Sequence, residues 1–575
     1  MRLLRPTETL PLYQQDLDGD HARTITRIRR LWRSMPRYIR TVLPLFCLAA
    51  FFALVYALGS SLPTESIETN EADFQKFQRK EPNIPQDYAQ PNEHVAGVDN
   101  SAAGVDESNG KSEEGAIKFT GPKNDRQKAV AGAFKHAWDG YKKYAWGHDQ
   151  LKPQTRTYSD WFDTGLTITD ALDTAIIMGL EDEVREGTEW IEKSLSFDKD
   201  RYVNLFEITI RVMGGLLTSF HLTGNKMFVI RAEDLADRLL GAFTGSKSPV
   251  PFSDVNLKTR AARGPSWSSE SSLSEVSTLQ MEFRDLSRIT GNATFEKTAF
   301  KVSEHIHEIG CAAHDGLCEM FINANTGRFR EKTTITFGAR ADSYYEYLLK
   351  QWVQTGKTIE WLASDYQEAM ASMDKKMVRL SEPNKLLYVG ELLPPSDSFS
   401  PKMDHLVCFL SGTLGLGAKN GMPPRHMEIA EGLAAACHAM YQTPTGLAPE
   451  IAYFNMNKEQ QSDLSIKPLD AHCLLRPEAV EAWFYMYRFT GDKKYQDWGW
   501  EAFEAIEKYA KLDVGYSSVN SVKKIPVTYK NLMESFFLAE TLKYLYLLFD
   551  DEKELIPLDK WVFNTEGHPL PIYKN

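Results

Sequence analysis

A short phrase recurs wherever an apolar helical stretch stops: Leu222-Thr-Gly-Asn225, Ile289-Thr-Gly-Asn292, Gln354-Thr-Gly-Lys357 and Phe489-Thr-Gly-Asp492. Glycine just past a helix end adopts the left-handed backbone that closes the helix, which other residues reach only with strain. Glycines 224, 291, 356 and 491 are separated by 67, 65 and 135 residues, and Gly421 divides the last interval into 65 and 70. Such a unit holds two helices and their loops. With Gly179 before the series and Asp550-Asp551-Glu552 after it, the spacing predicts about seven helical hairpins across residues 124–575. Stacked hairpins either stay open as a solenoid or close into a toroid. Closure is the expectation, because unusual acids sit on apolar helices along the whole stretch and only a ring brings them to one cavity.

The stretch Val203–Thr218 shows the pattern. Phe206, Ile210, Met213 and Leu217 recur at helical spacing and form a core stripe, while Glu207, Arg211, Gly214 or Gly215, and Thr218 share another face. A carboxylate within an apolar helix needs a partner or a wet cavity. A solvated Glu207–Arg211 ion pair at i,i+4 is the alternative. Similar acids follow: Glu275 and Glu282, Asp342 in Gly338–Leu349, Asp404 beside His405, Glu478 and Glu481 in Arg476-Pro-Glu-Ala-Val-Glu481, and Glu540 in Phe536–Phe549. Glu478 and Glu481 are equally what a helix dipole favours in a first turn. Acids paired across a cavity suit glycosidic cleavage, in which one carboxyl protonates the leaving oxygen and another activates water or attacks the sugar. An acid-rich cavity also suits a hard cation such as calcium. No HExxH, GxSxG or helix-opening GxGxxG is present.

The 575 residues are 42% hydrophobic with a net charge of −12, and no basic stripe is present, which excludes nucleic acid as an expected partner. Residues 1–40 carry nine Arg against four acids, and Thr41–Leu62 is an uncharged run of 22 residues, enough to span a bilayer. Arg29, Arg30, Arg33, Arg37 and Arg40 precede it and Glu65, Glu68, Glu71 and Asp73 follow, so the positive-inside rule predicts a single-pass type II membrane protein. The expected layout is a cytosolic basic tail (1–40), a transmembrane signal anchor (41–62), a disordered lumenal stem (63–123) and a catalytic-size helical domain (124–575). A cleaved signal peptide is the alternative to the anchor. Cys311, Cys318, Cys408, Cys437 and Cys473 then lie in an oxidising lumen, and Asn292-Ala-Thr294 is a glycosylation sequon.

Several motifs, in order and at matching spacing, resemble the class I α-1,2-mannosidases of glycoside hydrolase family 47. They are Ala137–Pro153, Asn204-Leu-Phe-Glu-Ile-Thr-Ile-Arg211, Gly338-Ala-Arg-Ala-Asp-Ser-Tyr-Tyr-Glu-Tyr347, Leu475-Arg-Pro-Glu478 and Phe563-Asn-Thr-Glu566. The resemblance implies an all-α fold, an (αα)7 barrel, and calcium-dependent, inverting removal of terminal α-1,2-linked mannose from high-mannose N-glycans. It implies that Glu207 is the general acid, acting through a water, that Glu478 is the general base, and that Asp342 is a second base candidate or water-positioning group. Arg211, Glu275, His405, Arg476, Phe536 and Glu540 match substrate-cavity positions. Thr565 matches the direct calcium ligand, with Glu481 and Glu566 holding coordinating waters. Cys408 and Cys437 match the family's disulfide, and Cys311 and Cys318 are candidates for a second, local bridge. Arg340 resembles the arginine of endoplasmic-reticulum members that stop at eight mannoses, where Golgi members that trim to five carry a smaller apolar residue. An endoplasmic-reticulum membrane enzyme is therefore expected; a Golgi-type enzyme and a lectin-like disposal factor on the same barrel are the rivals.

Overall fold

The computed structural model describes residues 119–573, except 266, 267, 269, 312 and 313, within one compact unit. The basic tail, the anchor and almost all of the stem lie outside the described residues. The last stem residues belong to the folded domain: Phe119 packs against the core, and Lys123 pairs with Glu552.

Fourteen long helices form seven consecutive pairs. Seven are outer: α1 (Asp125–Ala145), α3 (Glu181–Lys193), α5 (Lys226–Leu239), α7 (Thr294–Ile309), α9 (Glu360–Lys376), α11 (Arg425–Met440) and α13 (Lys494–Tyr509). Seven are inner: α2 (Leu166–Ile177), α4 (Leu205–Thr223), α6 (Gln280–Thr290), α8 (Asp342–Gln354), α10 (Phe409–Lys419), α12 (Glu478–Thr490) and α14 (537–548). Burial separates the sets. Every residue of α2 is buried, whereas α3 buries only Glu183, Gly187 and Ile191, a stripe of one residue per turn. Each inner helix packs on the next, and α14 packs on α2, where the Thr174 hydroxyl donates to the Ala539 carbonyl at 3.1 Å. The expected toroid is therefore closed.

The punctuation marks the turn from inner to outer helix. Glycines 179, 224, 291, 356, 421 and 491 all have positive φ, from 64° to 101°. The residue after the glycine often opens the next helix: Asn225 accepts from the Met227 amide, and Asp492 from the Lys494 amide, both at 3.0 Å. These turns are short. The return connections from outer to inner helix are long, and they and the C-terminal segment add to the mostly helical fold seven antiparallel sheets of two or three strands among the described residues. Alternation over three residues is too short to stand out against strong helical periodicity nearby.

One such sheet pairs Trp561–Phe563 with Pro569–Pro571. This terminal hairpin packs inside the ring against α4, α6 and α8. Gly214 on α4 allows that entry, and Gly215 allows the close approach of α2. A Cβ on Gly214 would stand 2.7 Å from Asn564 Nδ2, and one on Gly215 would stand 2.2 Å from the Thr169 carbonyl oxygen. Thr218, on the same face, donates to the Pro569 carbonyl at 3.0 Å. Helix α4 is long and apolar enough to cross a membrane, but it is mostly buried inside the protein as a barrel stave.

Candidate active site

The long connections enter the inner helices at their N-terminal ends, and the chemistry-bearing residues gather there. Glu207 lies in the first turn of α4, whose N-cap Asn204 accepts from the Glu207 amide at 3.0 Å. Asp342 is the first residue of α8, and Glu478 is the first of α12. His405 opens the 3₁₀ turn His405–Cys408 that leads into α10. Phe536 and Glu540 lie at the start of α14.

Arg211 and Glu540 are both on π-helical turns, Thr209–Met213 and Phe537–Thr541. Such turns insert a residue into the helix and often occur at functional sites. Glu207 and Arg211 pair at 2.9 Å, but in an enclosed polar site rather than on the solvated face of the alternative reading: the side chains are 15% and 11% exposed. Arg211 also bonds Glu566 in the terminal hairpin. Its guanidinium lies 5.8 Å from the Phe536 ring centre and that of Arg476 lies 5.7 Å from it, so both cations share one aromatic ring. Arg476 is in turn held by Glu450, which accepts from its Nε at 2.6 Å. Burial pushes the Glu450 carboxyl up, but Arg476 outweighs this and leaves it below its ordinary value.

Asp342 is partly buried, and that burial pushes its carboxyl up to about 7 despite hydrogen bonds from the Ser274 hydroxyl at 2.7 Å and the Ser343 amide at 2.9 Å. The negative charges of Glu346 and Glu478 push the same way. Glu478 Oε2 lies 2.8 Å from His405 Nδ1. Glu275 serves the frame around the site: it closes a capping box with Ser272 and accepts from Asn204 Nδ2 at 2.8 Å. Arg340 precedes α8 at φ 82°, a backbone rare for a side-chain-bearing residue, and its guanidinium lies 5.3 Å from the Phe321 ring centre.

Thr565 sits at the tip of the terminal hairpin, where its hydroxyl donates to Glu346 Oε2 at 2.7 Å. Around it are buried acids. Burial raises Glu481 to about 8, helped by Glu346 and Glu478 and opposed by Lys350. Burial, then repulsion from Glu566, Glu478 and Glu481, pushes Glu540 far above its ordinary range. Buried Glu282 Oε2 has no hydrogen-bond partner. An all-oxygen donor set with crowded, desolvated negative charge fits a hard divalent cation. Among the described residues no three His, Cys, Asp or Glu side chains are arranged to ligate a metal together.

The expected disulfide Cys408–Cys437 forms with Cα atoms 6.0 Å apart, the candidate pair Cys311–Cys318 is bridged with Cα atoms 4.8 Å apart, and Cys473 is free and buried. Residues not singled out in the sequence also join the site: Glu346, Lys350, Tyr441, Glu450, and the fully buried Asp170, Asp173 and Lys543 that surround His568 of the hairpin. Glu346 and Lys350 had a legible signal, an i,i+4 acid–base pair in an apolar helix.

A family model described as glycosyl hydrolase family 47 matches residues 133–572. The chain is 52% identical over 463 residues to the endoplasmic reticulum mannosyl-oligosaccharide 1,2-alpha-mannosidase of Rattus norvegicus, covering 79% of this chain and 69% of that protein. It is 45% identical over 501 residues to mannosyl-oligosaccharide 1,2-alpha-mannosidase MNS3 of Arabidopsis thaliana, covering 78% and 80%. Among solved structures, an alpha-1,2-mannosidase from Trichoderma reesei matches with a TM-score of 0.72 at 28% identity, covering 79% of this chain and 100% of that one. The chain belongs to glycosyl hydrolase family 47.

Proposed function

We propose that the chain hydrolyses terminal α-1,2-linked mannose from high-mannose N-glycans with inversion, acting in the endoplasmic reticulum as a type II membrane enzyme that trims nine mannoses to eight. The observation that carries the reading is the convergence of Glu207, Asp342 and Glu478, from three inner helices, on one end of a closed barrel. The relatives' names supply the substrate class and the compartment.

In the proposed mechanism Glu478, held by His405, takes a proton from the water that attacks the anomeric carbon. Glu207 supplies the proton to the leaving oxygen through an intervening water, while Arg211 fixes the orientation of its carboxylate. Arg211 and Arg476 flank Phe536, and this cationic-aromatic wall suits a sugar ring and its hydroxyls. Calcium, when bound at Thr565 with Glu346, Glu481, Glu540 and Glu566 in its outer sphere, would act as a Lewis acid that orients sugar hydroxyls.

A second reading gives the acid's role to Asp342, because burial raises its carboxyl to about 7, so that about half of it carries a proton at neutral pH. The test is a time course on nine-mannose glycan with product isomers resolved and the released sugar followed by proton NMR. Initial release of β-mannose and accumulation of one eight-mannose isomer are expected. Initial α-mannose would overturn inversion, steady trimming to five mannoses would favour a Golgi-type enzyme, and binding without release would favour a lectin.

A further inference from the structure

Behind Glu478 stands a second layer. His405 Nδ1 is 2.8 Å from Glu478 Oε2, and His405 Nε2 is 3.0 Å from the Tyr441 hydroxyl. An ionised carboxylate can only accept, so Nδ1 carries the proton toward Glu478, and in a neutral imidazole Nε2 is then an acceptor. Burial pushes the Tyr441 hydroxyl well above its ordinary range, so it remains a donor. Glu450 and Arg476 are the other charged groups at this layer, and they pair with each other at 2.6 Å.

We propose that Tyr441 is a positioning residue for the base: by donating to Nε2 it selects the His405 tautomer whose Nδ1–H holds Glu478 Oε2. The other carboxylate oxygen, Oε1, is thereby left on the side of Arg476, 3.9 Å from its Nη1. The proposal rests on the reading of Glu478 as the base.

The surroundings make the arrangement rigid. Tyr441 directly follows α11, and its amide donates to the His438 carbonyl at 3.0 Å. Its ring packs against Trp483 on α12, the helix that Glu478 opens, with centroids 5.3 Å apart. The His405 amide donates to the Glu450 carbonyl at 2.8 Å. The Cys408–Cys437 disulfide then ties the turn that His405 opens to α11, four residues before Tyr441. Both ends of the His405–Tyr441 bond are therefore held by one covalent link. Two bonds on one imidazole, the second existing only to set the first, is the arrangement that orients catalytic and metal-binding histidines generally.

The test is initial-rate kinetics of the full-length chain on nine-mannose glycan, with thermal unfolding recorded for each variant. Tyr441→Phe removes only the hydroxyl. It is expected to lower kcat roughly 10-fold or more, with KM within about twofold. In a His405→Ala background the same substitution is expected to change kcat by less than about twofold, because its route to Glu478 is gone. Tyr441→Gln, which restores an N–H donor, is expected to recover part of the loss. Wild-type kcat in Tyr441→Phe, or an undiminished loss in the His405→Ala background, would overturn the proposal. Should Tyr441→Phe not fold, Tyr441→Gln against Tyr441→Met supplies the contrast: higher kcat with Gln supports the proposal and equal kcat overturns it. Glu478→Gln separates the underlying reading, since wild-type kcat in that variant means that Glu478 is not the base whatever Tyr441→Phe does.

Discussion

Arg211 bonds Glu566, 355 residues further along the chain, while its other edge stays on Glu207. One guanidinium thus joins the candidate acid to the hairpin that carries Thr565. Burial opposes the charge on Arg211, but Glu566, Glu207 and Asp170 together hold it firmly protonated. Replacing Arg211 by Met leaves three enclosed carboxyl groups without their cation, and breaking buried pairs in this way costs about 3–5 kcal/mol. Chemical denaturation should show that loss, and mannose release should fall with it. A stability unchanged within error would mean that the pair is screened by water.

The acids around Thr565 predict that a divalent cation binds the native state and stabilises it. Chelation should lower the unfolding temperature and abolish mannose release, and calcium should restore both. A ligand present at 100 times its dissociation constant contributes about 2.7 kcal/mol. Thr565→Val, which removes the hydroxyl that donates to Glu346, should weaken calcium binding without removing any charge. Equal calcium titration curves for the variant and the parent would remove the Thr565 hydroxyl as a ligand.

Asp342 makes stability depend on pH in a direction opposite to that of a salt-bridged acid. Its carboxyl goes from an ordinary 3.8 to about 7 on folding, so between those values the native state binds the proton that the unfolded chain has released. Stability therefore falls as pH rises through this window and levels off above it. Asp342→Asn has no such term. The two proteins should match below about pH 4, and the variant should gain on the parent by up to about 1.4 kcal/mol per pH unit until about pH 7. Parallel denaturation curves from pH 4 to 8 check this, and a constant difference would mean that Asp342 is wetter than the structure indicates.

Arg340 is the residue on which product specificity is expected to turn. Its guanidinium lies against Phe321, and a fork of five donors can hold several sugar hydroxyls of one branch. Arg340→Leu should keep mannose release but allow trimming to continue past eight mannoses, as read by chromatography of the glycans. A product profile identical to the parent's would assign specificity elsewhere in the cavity.

Much of the architecture was legible because it is local. Each Thr-Gly phrase ends one helix and opens another through backbone preferences that need no partner, so hairpin number and spacing follow from sequence alone. The acids were visible for a related reason: Glu207 or Glu540 in an apolar helix carries a desolvation cost that demands an enclosed polar site somewhere. The small sheets were not legible, since strands of two to four residues leave almost no periodicity. The π turns at Arg211 and Glu540 were also hidden, because no residue type or spacing marks a single wide turn within an apolar helix.

By itself, then, the sequence determined the helical hairpins, their number, and which acids had to be enclosed, since these depend on neighbours within a few turns. Only the tertiary structure decided that α14 meets α2, that the C-terminal hairpin enters the ring so that Glu566 reaches Arg211, and that Tyr441 stands behind His405. Those relationships join residues 36 to 365 positions apart, and a hydrogen bond between distant segments leaves no mark in the local pattern of either one.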